Sequence, residues 1–270
     1  MRSTDQAPGL SGIWGWPLAW RYLVFTFAVS YAAWGAIILA NQFGHLGPGA
    51  QAQVALDLVA GNAPAIVACV LLARAGVWRG VKGFLRLTFQ FKALWTDYAA
   101  VFGLLAVAFG IPVAVGDVKF GYPLYLAVLL IPVMIPLGGL EELGWRQILQ
   151  PSLERRWPFA VATVATAAIW AVWHLPLFVM KGTVQADMSF PMFALSDLGL
   201  AFALAALYRV SGNIWLCVLF HSGVNALYSS FELQMTPWVV GVTQVALIAA
   251  SLALMAWRLS SARVCGARRG

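Results

Sequence analysis

The stretch Ile135-Pro136-Leu137-Gly138-Gly139-Leu140-Glu141-Glu142-Leu143-Gly144-Trp145-Arg146 closes an apolar run that begins at Tyr122. Two adjacent carboxylates and a guanidinium therefore stand within, or at the edge of, a segment otherwise suited to lipid. Each costs roughly 2.5–3.5 kcal/mol at the centre of a membrane helix, so unpaired they outweigh the gain from several leucines. Either partners compensate them or they line a wet cavity. Helix geometry sorts them: Glu142 and Arg146 are four apart on one face and can pair, whereas Glu141 points about 100° away and is left for another partner. One turn earlier, Pro136 removes a backbone hydrogen bond, and Gly138 and Gly139 permit a bend or a close helix approach. A loosened helix beside charged groups suits a cavity that admits water and substrate.

The rest of the chain explains why lipid is the right solvent. Of 270 residues, 61% are hydrophobic and only 10% charged, against about 25% charged in soluble domains. With a mean hydropathy of +0.81 the chain has too little polar surface to cover itself in water. Eight runs reach the length of about twenty residues that spans a bilayer: 20–41, 52–74, 94–116, 122–147, 158–180, 190–208, 213–230 and 237–257. The fold class expected is all-α, a polytopic membrane protein with about eight transmembrane helices around an intramembrane cavity. The net charge of +7 does not point to nucleic acid, because the basic residues sit in short clusters between apolar runs. Those clusters alternate. Arg74 to Lys92, the turn with Arg155 and Arg156, Arg209, and the tail with Arg258, Arg263, Arg268 and Arg269 fall on one side; the loops 42–51, 117–121, 181–189 and 231–236 are nearly neutral. The positive-inside rule then puts both termini in the cytoplasm, and the expected location is a bacterial inner membrane. Residues 1–15 read as a loose tail, 16–119 as N-terminal transmembrane helices with a basic amphipathic segment at 75–93, 120–231 as a catalytic helical core, and 232–270 as the last helix with a basic tail. The three cysteines form no metal-binding or disulfide spacing.

Two of the three histidines lie in apolar runs. Trp170-Ala171-Val172-Trp173-His174-Leu175-Pro176 places one inside the fifth run. The fourth and fifth runs form a hairpin turning near Leu153–Pro158; Glu141 is thirteen residues before Glu154 and His174 sixteen after Pro158. At about 1.5 Å per residue the two sit at similar depth on antiparallel helices and can meet. In Phe220-His221-Ser222-Gly223-Val224-Asn225, His221 and Asn225 share a helix face. Taken singly, each element has an ordinary explanation: a membrane histidine commonly bridges helices, and an i,i+4 Glu–Arg pair is commonly structural. Burying all of them together costs stability and returns little unless they act. Asp197, a further intramembrane acid, has no local partner; Asp57 and Asp97 lie nearer the interfaces and are expected to be solvated.

Glu141-Glu142-x-x-x-Arg146, Trp170-x-x-x-His174 and His221-x-x-x-Asn225 resemble the three signatures of the CAAX protease and bacteriocin-processing (CPBP, or Abi) intramembrane proteases, which include the Ras-converting CAAX endopeptidase. The resemblance covers roughly residues 120–230, with tryptophan where the second motif often has phenylalanine. It implies Glu141 as general base, His174 as its helper in activating water, His221 and Asn225 as stabilisers of the oxyanion, and Glu142, Arg146 and Trp170 as structural groups at the site. The implied substrate is a hydrophobic or lipidated peptide, or a leader peptide, reached through membrane lipids. A zinc site of Glu141, His174 and His221, with an open position, is the second mechanistic option; the metal-free one is preferred, since the chain lacks the HExxH helix. Other classes fit poorly: Arg209-Val210-Ser211-Gly212 lacks the first glycine of a rhomboid-like motif, and Ala114-Val115-Gly116-Asp117 lacks that of a presenilin-like one. The alternative function is a non-catalytic binding, immunity or scaffold protein that keeps the pocket. A proton-relaying transporter would need internal repeats, and none is visible in the sequence.

Overall fold

In lipid the backbone must satisfy its own hydrogen bonds, which leaves the helix as the natural state of each apolar run. The computed structural model describes residues 16–234 and 236–267; the expected tail at 1–15, and Arg268 and Arg269, lie outside them. Each of the eight runs contains a helix or a bent pair of helices. The order is α1 (Trp16–Gln42), α2 (Gln51–Gly61), α3 (Ala63–Arg74), α4 (Gly80–Thr88), α5 (Trp95–Ala114), β1 (Val118–Phe120), α6 (Leu124–Met134), α7 (Glu142–Gly144), α8 (Gln150–Glu154), α9 (Phe159–Trp173), α10 (Phe190–Ser211), α11 (Ile214–Ser230), β2 (Phe231–Leu233) and α12 (Pro237–Ala267). The chain is a polytopic all-α membrane protein. Four helices, α1, α5, α10 and α12, are long and apolar enough to cross a membrane, and the two bent pairs bring the number to six. With 15 and 17 residues, α9 and α11 reach only about 23 and 26 Å at 1.5 Å per residue.

The breaks follow from sequence. Pro64 opens α3, and α2 and α3 bend by 47° because proline cannot donate back to the preceding turn. α6 bends by 45° into the segment Gly139–Glu154 across a turn that contains Gly138 at φ +143°. That segment is itself irregular: a 3-10 turn over Gly139–Glu141, α7, a π turn over Trp145–Leu149, then α8. The run 158–180 does not stay helical. α9 stops at Trp173, and a 3-10 turn over Leu175–Phe178 follows, since Pro176 restricts its predecessor and lacks an N–H. His174 is thus the capping residue of α9 rather than a mid-helix residue, as its sequence context suggested.

Tertiary contacts gather the loops into two groups. At one end, Asn213 Nδ2 donates to the Gln90 carbonyl (2.8 Å), Phe91 packs edge-on to Trp215, and Arg209 pairs with Glu154. Among the other loops, Gln53 Nε2 donates to the Lys181 carbonyl (3.4 Å), and β1 pairs antiparallel with β2, setting Lys119 opposite Glu232. Asp117 receives hydrogen bonds from the Thr236 amide and hydroxyl. Asp97 is 7% exposed and pairs with Arg258; the expected solvation is replaced by a partner on α12. α4 shows solvent or lipid Val81 and Leu85 beside Lys82 and Arg86, as an amphipathic surface helix does. The core lies where α1, α3 and the α7–α9 hairpin meet, with Tyr22, Trp34, Trp145 and Trp173 fully enclosed.

Candidate active site

The hairpin is pinned by a polar ladder. Gln150 Nε2 donates to Thr163 Oγ1 (3.0 Å), and Thr166 Oγ1 donates to Gln150 Oε1 (2.8 Å). Thr163, Thr166 and Trp170 follow at helical spacing, so the face of α9 that meets Gln150 continues to Trp170. There the indole Nε1 donates to Glu141 Oε2 at 3.1 Å, and Trp145 Nε1 donates to the same oxygen at 3.1 Å. Oε1 of Glu141 has no protein partner among the described residues. One carboxylate oxygen is thereby fixed by two rigid donors and the other is left without one. Trp170 was read from sequence as a packing residue; its N–H makes it more than that, since phenylalanine has no such donor.

Glu142 turns the other way, as its offset on the helix requires. Its Oε2 lies 3.1 Å from Arg146 Nε, and its Oε1 lies 2.8 Å from His221 Nδ1; Glu142 and Arg146 are completely buried. The π turn contains Arg146, and such turns concentrate at functional sites. The Arg146 Cζ stands 5.6 Å from the Trp170 ring centroid, a cation–π contact that replaces hydrogen bonds its Nη atoms lack among the described residues. The expected Glu142–Arg146 pair is present. Its extension to His221, 79 positions away in sequence, was not read beforehand, and periodicity within one helix carries no signal for it.

His221 and Asn225 present adjacent groups to one spot. A Cβ on Gly138 would lie 3.4 Å from His221 Nε2 and collide with Asn225 Nδ2. Asn225 Nδ2 also donates to the Leu137 carbonyl at 3.3 Å, one of the carbonyls freed by the helix break. The break, the positive φ at Gly138 and the two α11 side chains are thus parts of one arrangement: only a residue without a side chain lets the backbone approach these donors.

His174 does not touch Glu141 directly. Its Nδ1 lies 3.0 Å from the Trp170 carbonyl, so the two expected partners are joined through Trp170, which holds Glu141 with its indole and His174 with its backbone. The rings of Trp170, Trp173 and Phe193 surround the imidazole. Asp197, left without a partner by sequence, has Oδ2 at 3.9 Å from His174 Nδ1. Its distance of 23 residues from His174, on a different helix, hid this proximity. Among the described residues no three His, Cys, Asp or Glu side chains gather as a set that could hold a metal ion, and the Nδ1 atoms of both site histidines already face protein acceptors.

Residues 120–227 match the family model described as Rce1-like, type II CAAX prenyl endopeptidase, an interval that includes all three motifs. Over 239 residues the chain is 24% identical to CAAX prenyl protease 2 of Methanococcus maripaludis, covering 83% of this chain and 85% of that protein. The resemblance carried by the motifs is therefore shown, and the family so described is one of membrane peptidases.

Proposed function

We propose that this chain is an intramembrane endopeptidase that hydrolyses a membrane-associated, lipidated peptide with water activated by Glu141 and His174. The observation that carries the reading is the carboxylate of Glu141, anchored through Oε2 by two indoles with Oε1 free, beside a family match that spans the same residues. In this reading Oε1 takes a proton from a water that also donates to His174 Nε2. The hydroxide oxygen bonds to the carbonyl carbon, and the oxyanion receives hydrogen bonds from His221 Nε2–H and Asn225 Nδ2–H, donors prearranged for developing charge. Collapse breaks the C–N bond as Glu141 returns its proton to the leaving amine. Glu142 beside His221 Nδ1 balances the charge of a doubly protonated ring, the form in which Nε2 carries the hydrogen that the oxyanion needs.

No step passes through a metal. Zinc ligation by Glu141, His174 and His221 would require these side chains to gather differently, since among the described residues they do not form a set that could hold a metal ion. The substrate chemistry follows from the relative's name, in which the cleaved protein is prenylated. The loops around Gln90, Glu154 and Arg209 meet at one end, the end that the positive-inside rule assigns to the cytoplasm.

The test is hydrolysis of membrane-tethered peptides by purified protein in lipid, with and without a farnesyl group, beside Glu141→Gln and His174→Ala. The expected outcome is cleavage of the lipidated peptide by the wild type, unaffected by chelators, and at least about a hundredfold loss in both variants. Full activity in both variants overturns the assignment; loss on chelation with recovery on zinc overturns the metal-free mechanism.

A further inference from the structure

We propose that Asp197 is a positioning residue for His174, setting its tautomer and orientation so that Nε2 presents a lone pair to the reacting water. The inference rests on the reading of His174 as the group that helps Glu141 activate water.

A carboxyl at membrane depth is costly and marks function unless a partner explains it. Asp197 lies in the middle of α10, is 4% exposed, and its Oδ2 makes no hydrogen bond among the described residues. Among the described residues its one ion-pair contact is His174 Nδ1 at 3.9 Å, with Glu141 and Arg146 acting on it from further off. The same nitrogen lies 3.0 Å from the Trp170 carbonyl. That carbonyl has no proton to give, and a carboxylate is likewise only an acceptor. The Trp170 carbonyl is the hydrogen-bond acceptor for Nδ1, and a negative charge on Asp197 at 3.9 Å, beyond hydrogen-bond reach, adds an electrostatic preference for the proton on that side and leaves Nε2 bare. The ring plane is set independently: the centroids of Trp170, Trp173 and Phe193 lie 5.8, 4.6 and 5.0 Å from that of His174. Phe193 stands one helical turn before Asp197, so α10 delivers both an aromatic wall and the acid to the same imidazole. Among the described residues no other acid forms an ion pair with His174; the other charged-group neighbour that it feels is His221.

The consequence is chemical. As water donates towards Nε2, positive charge develops on the imidazole, and a carboxylate behind Nδ1 stabilises it without itself taking the proton. Asp197 touches neither substrate nor water, so its effect belongs to the turnover step rather than to binding.

The experiment uses the full chain in lipid, with its histidines labelled with nitrogen-15, and reads the imidazole nitrogen resonances together with peptide hydrolysis. His174 is assigned by its loss in His174→Ala. In the wild type, His174 is expected as a single Nδ1–H tautomer. In Asp197→Asn, which keeps size and fold, an Nε2–H population is expected to appear and kcat to fall about tenfold or more with KM within about twofold. An Nε2–H tautomer in the wild type overturns the proposal even if the variant fails to fold. So does an unchanged tautomer, or a wild-type kcat, in Asp197→Asn. If the wild type cleaves no peptide while the tautomer shifts as expected, the peptidase reading falls and the Asp197–His174 coupling stands.

Discussion

Replacing Glu142 by glutamine keeps the shape of the side chain and removes one charge from a site that is completely buried on both sides of the ion pair. Arg146 then keeps its charge with no carboxylate to balance it. Its Nη atoms already lack hydrogen-bond partners among the described residues, so nothing nearby takes over, apart from the Trp170 ring. Breaking a buried pair by removing one partner costs about 3–5 kcal/mol. His221 also exchanges a charged acceptor at 2.8 Å for a neutral one, which adds about 1 kcal/mol. The expected loss is about 4–6 kcal/mol, a large fraction of the roughly 5–15 kcal/mol by which most folds are stable. The assay is reversible unfolding in mixed micelles, read by tryptophan fluorescence as denaturing detergent is raised. A second variant, Glu142→Gln with Arg146→Met, isolates the cause: deleting both charges removes the uncompensated guanidinium, so the double variant recovers most of the loss. A single variant within about 1 kcal/mol of wild type, or a double variant no better than the single, would refute the reasoning.

Other substitutions probe the remaining contacts. Trp170→Phe keeps the ring and deletes the donor to Glu141 Oε2, and is expected to cost about 1.5–3 kcal/mol in the same unfolding assay; an unchanged midpoint would show that the indole N–H is idle. Gly138→Ala puts a Cβ into the Asn225 amide at φ +143°, so hydrolysis is expected to fall at least about tenfold, with the turn displaced; wild-type turnover would separate the turn from the oxyanion donors. Gly144→Ala collides with the Tyr22 ring and is expected to lower the melting temperature, with partial recovery when Tyr22→Leu is added; equal melting of single and double variants would refute the contact.

The transmembrane architecture was legible because lipid leaves the backbone few options. Each apolar run contains a helix or a bent pair of helices, four to six of them able to cross a membrane against the eight expected, and the bend after α6 falls at the Pro136–Gly139 stretch that the sequence marks. Local pairs were legible too: Glu142 with Arg146 needs only helical spacing. What escaped were contacts between helices distant in sequence. His221 on Glu142, Asp197 near His174 and Arg258 on Asp97 depend on which helix faces meet, and no period within one run records that. Glu141 and His174 were placed at similar depth correctly enough to share a neighbour, yet the distance between them is bridged by Trp170, whose N–H was read as mere bulk. The loosening at Pro136–Gly139 was legible, but not the 3-10 turn at Glu141 or the π turn at Arg146 into which it resolves.

The enclosure of the site by α1 has a consequence for how the protein is made. Trp173 donates to Ser30, and Tyr31 to the Val172 carbonyl, while Tyr22 fills the space that Gly144 leaves open. The Ser30 hydroxyl of α1 donates to the Ala60 carbonyl of α2 and also receives the indole N–H of Trp173, a residue encoded 143 positions later. At about 5–20 residues per second that is roughly 7–30 s of translation. Throughout it the Ser30 hydroxyl already has its acceptor on α2, while Tyr22 and Trp34 still lack the rings of Trp145 and Trp173 against which they pack. A chain interrupted before Trp173 keeps the hydrogen bond between α1 and α2 and lacks the indole that closes over Trp34 and Ser30.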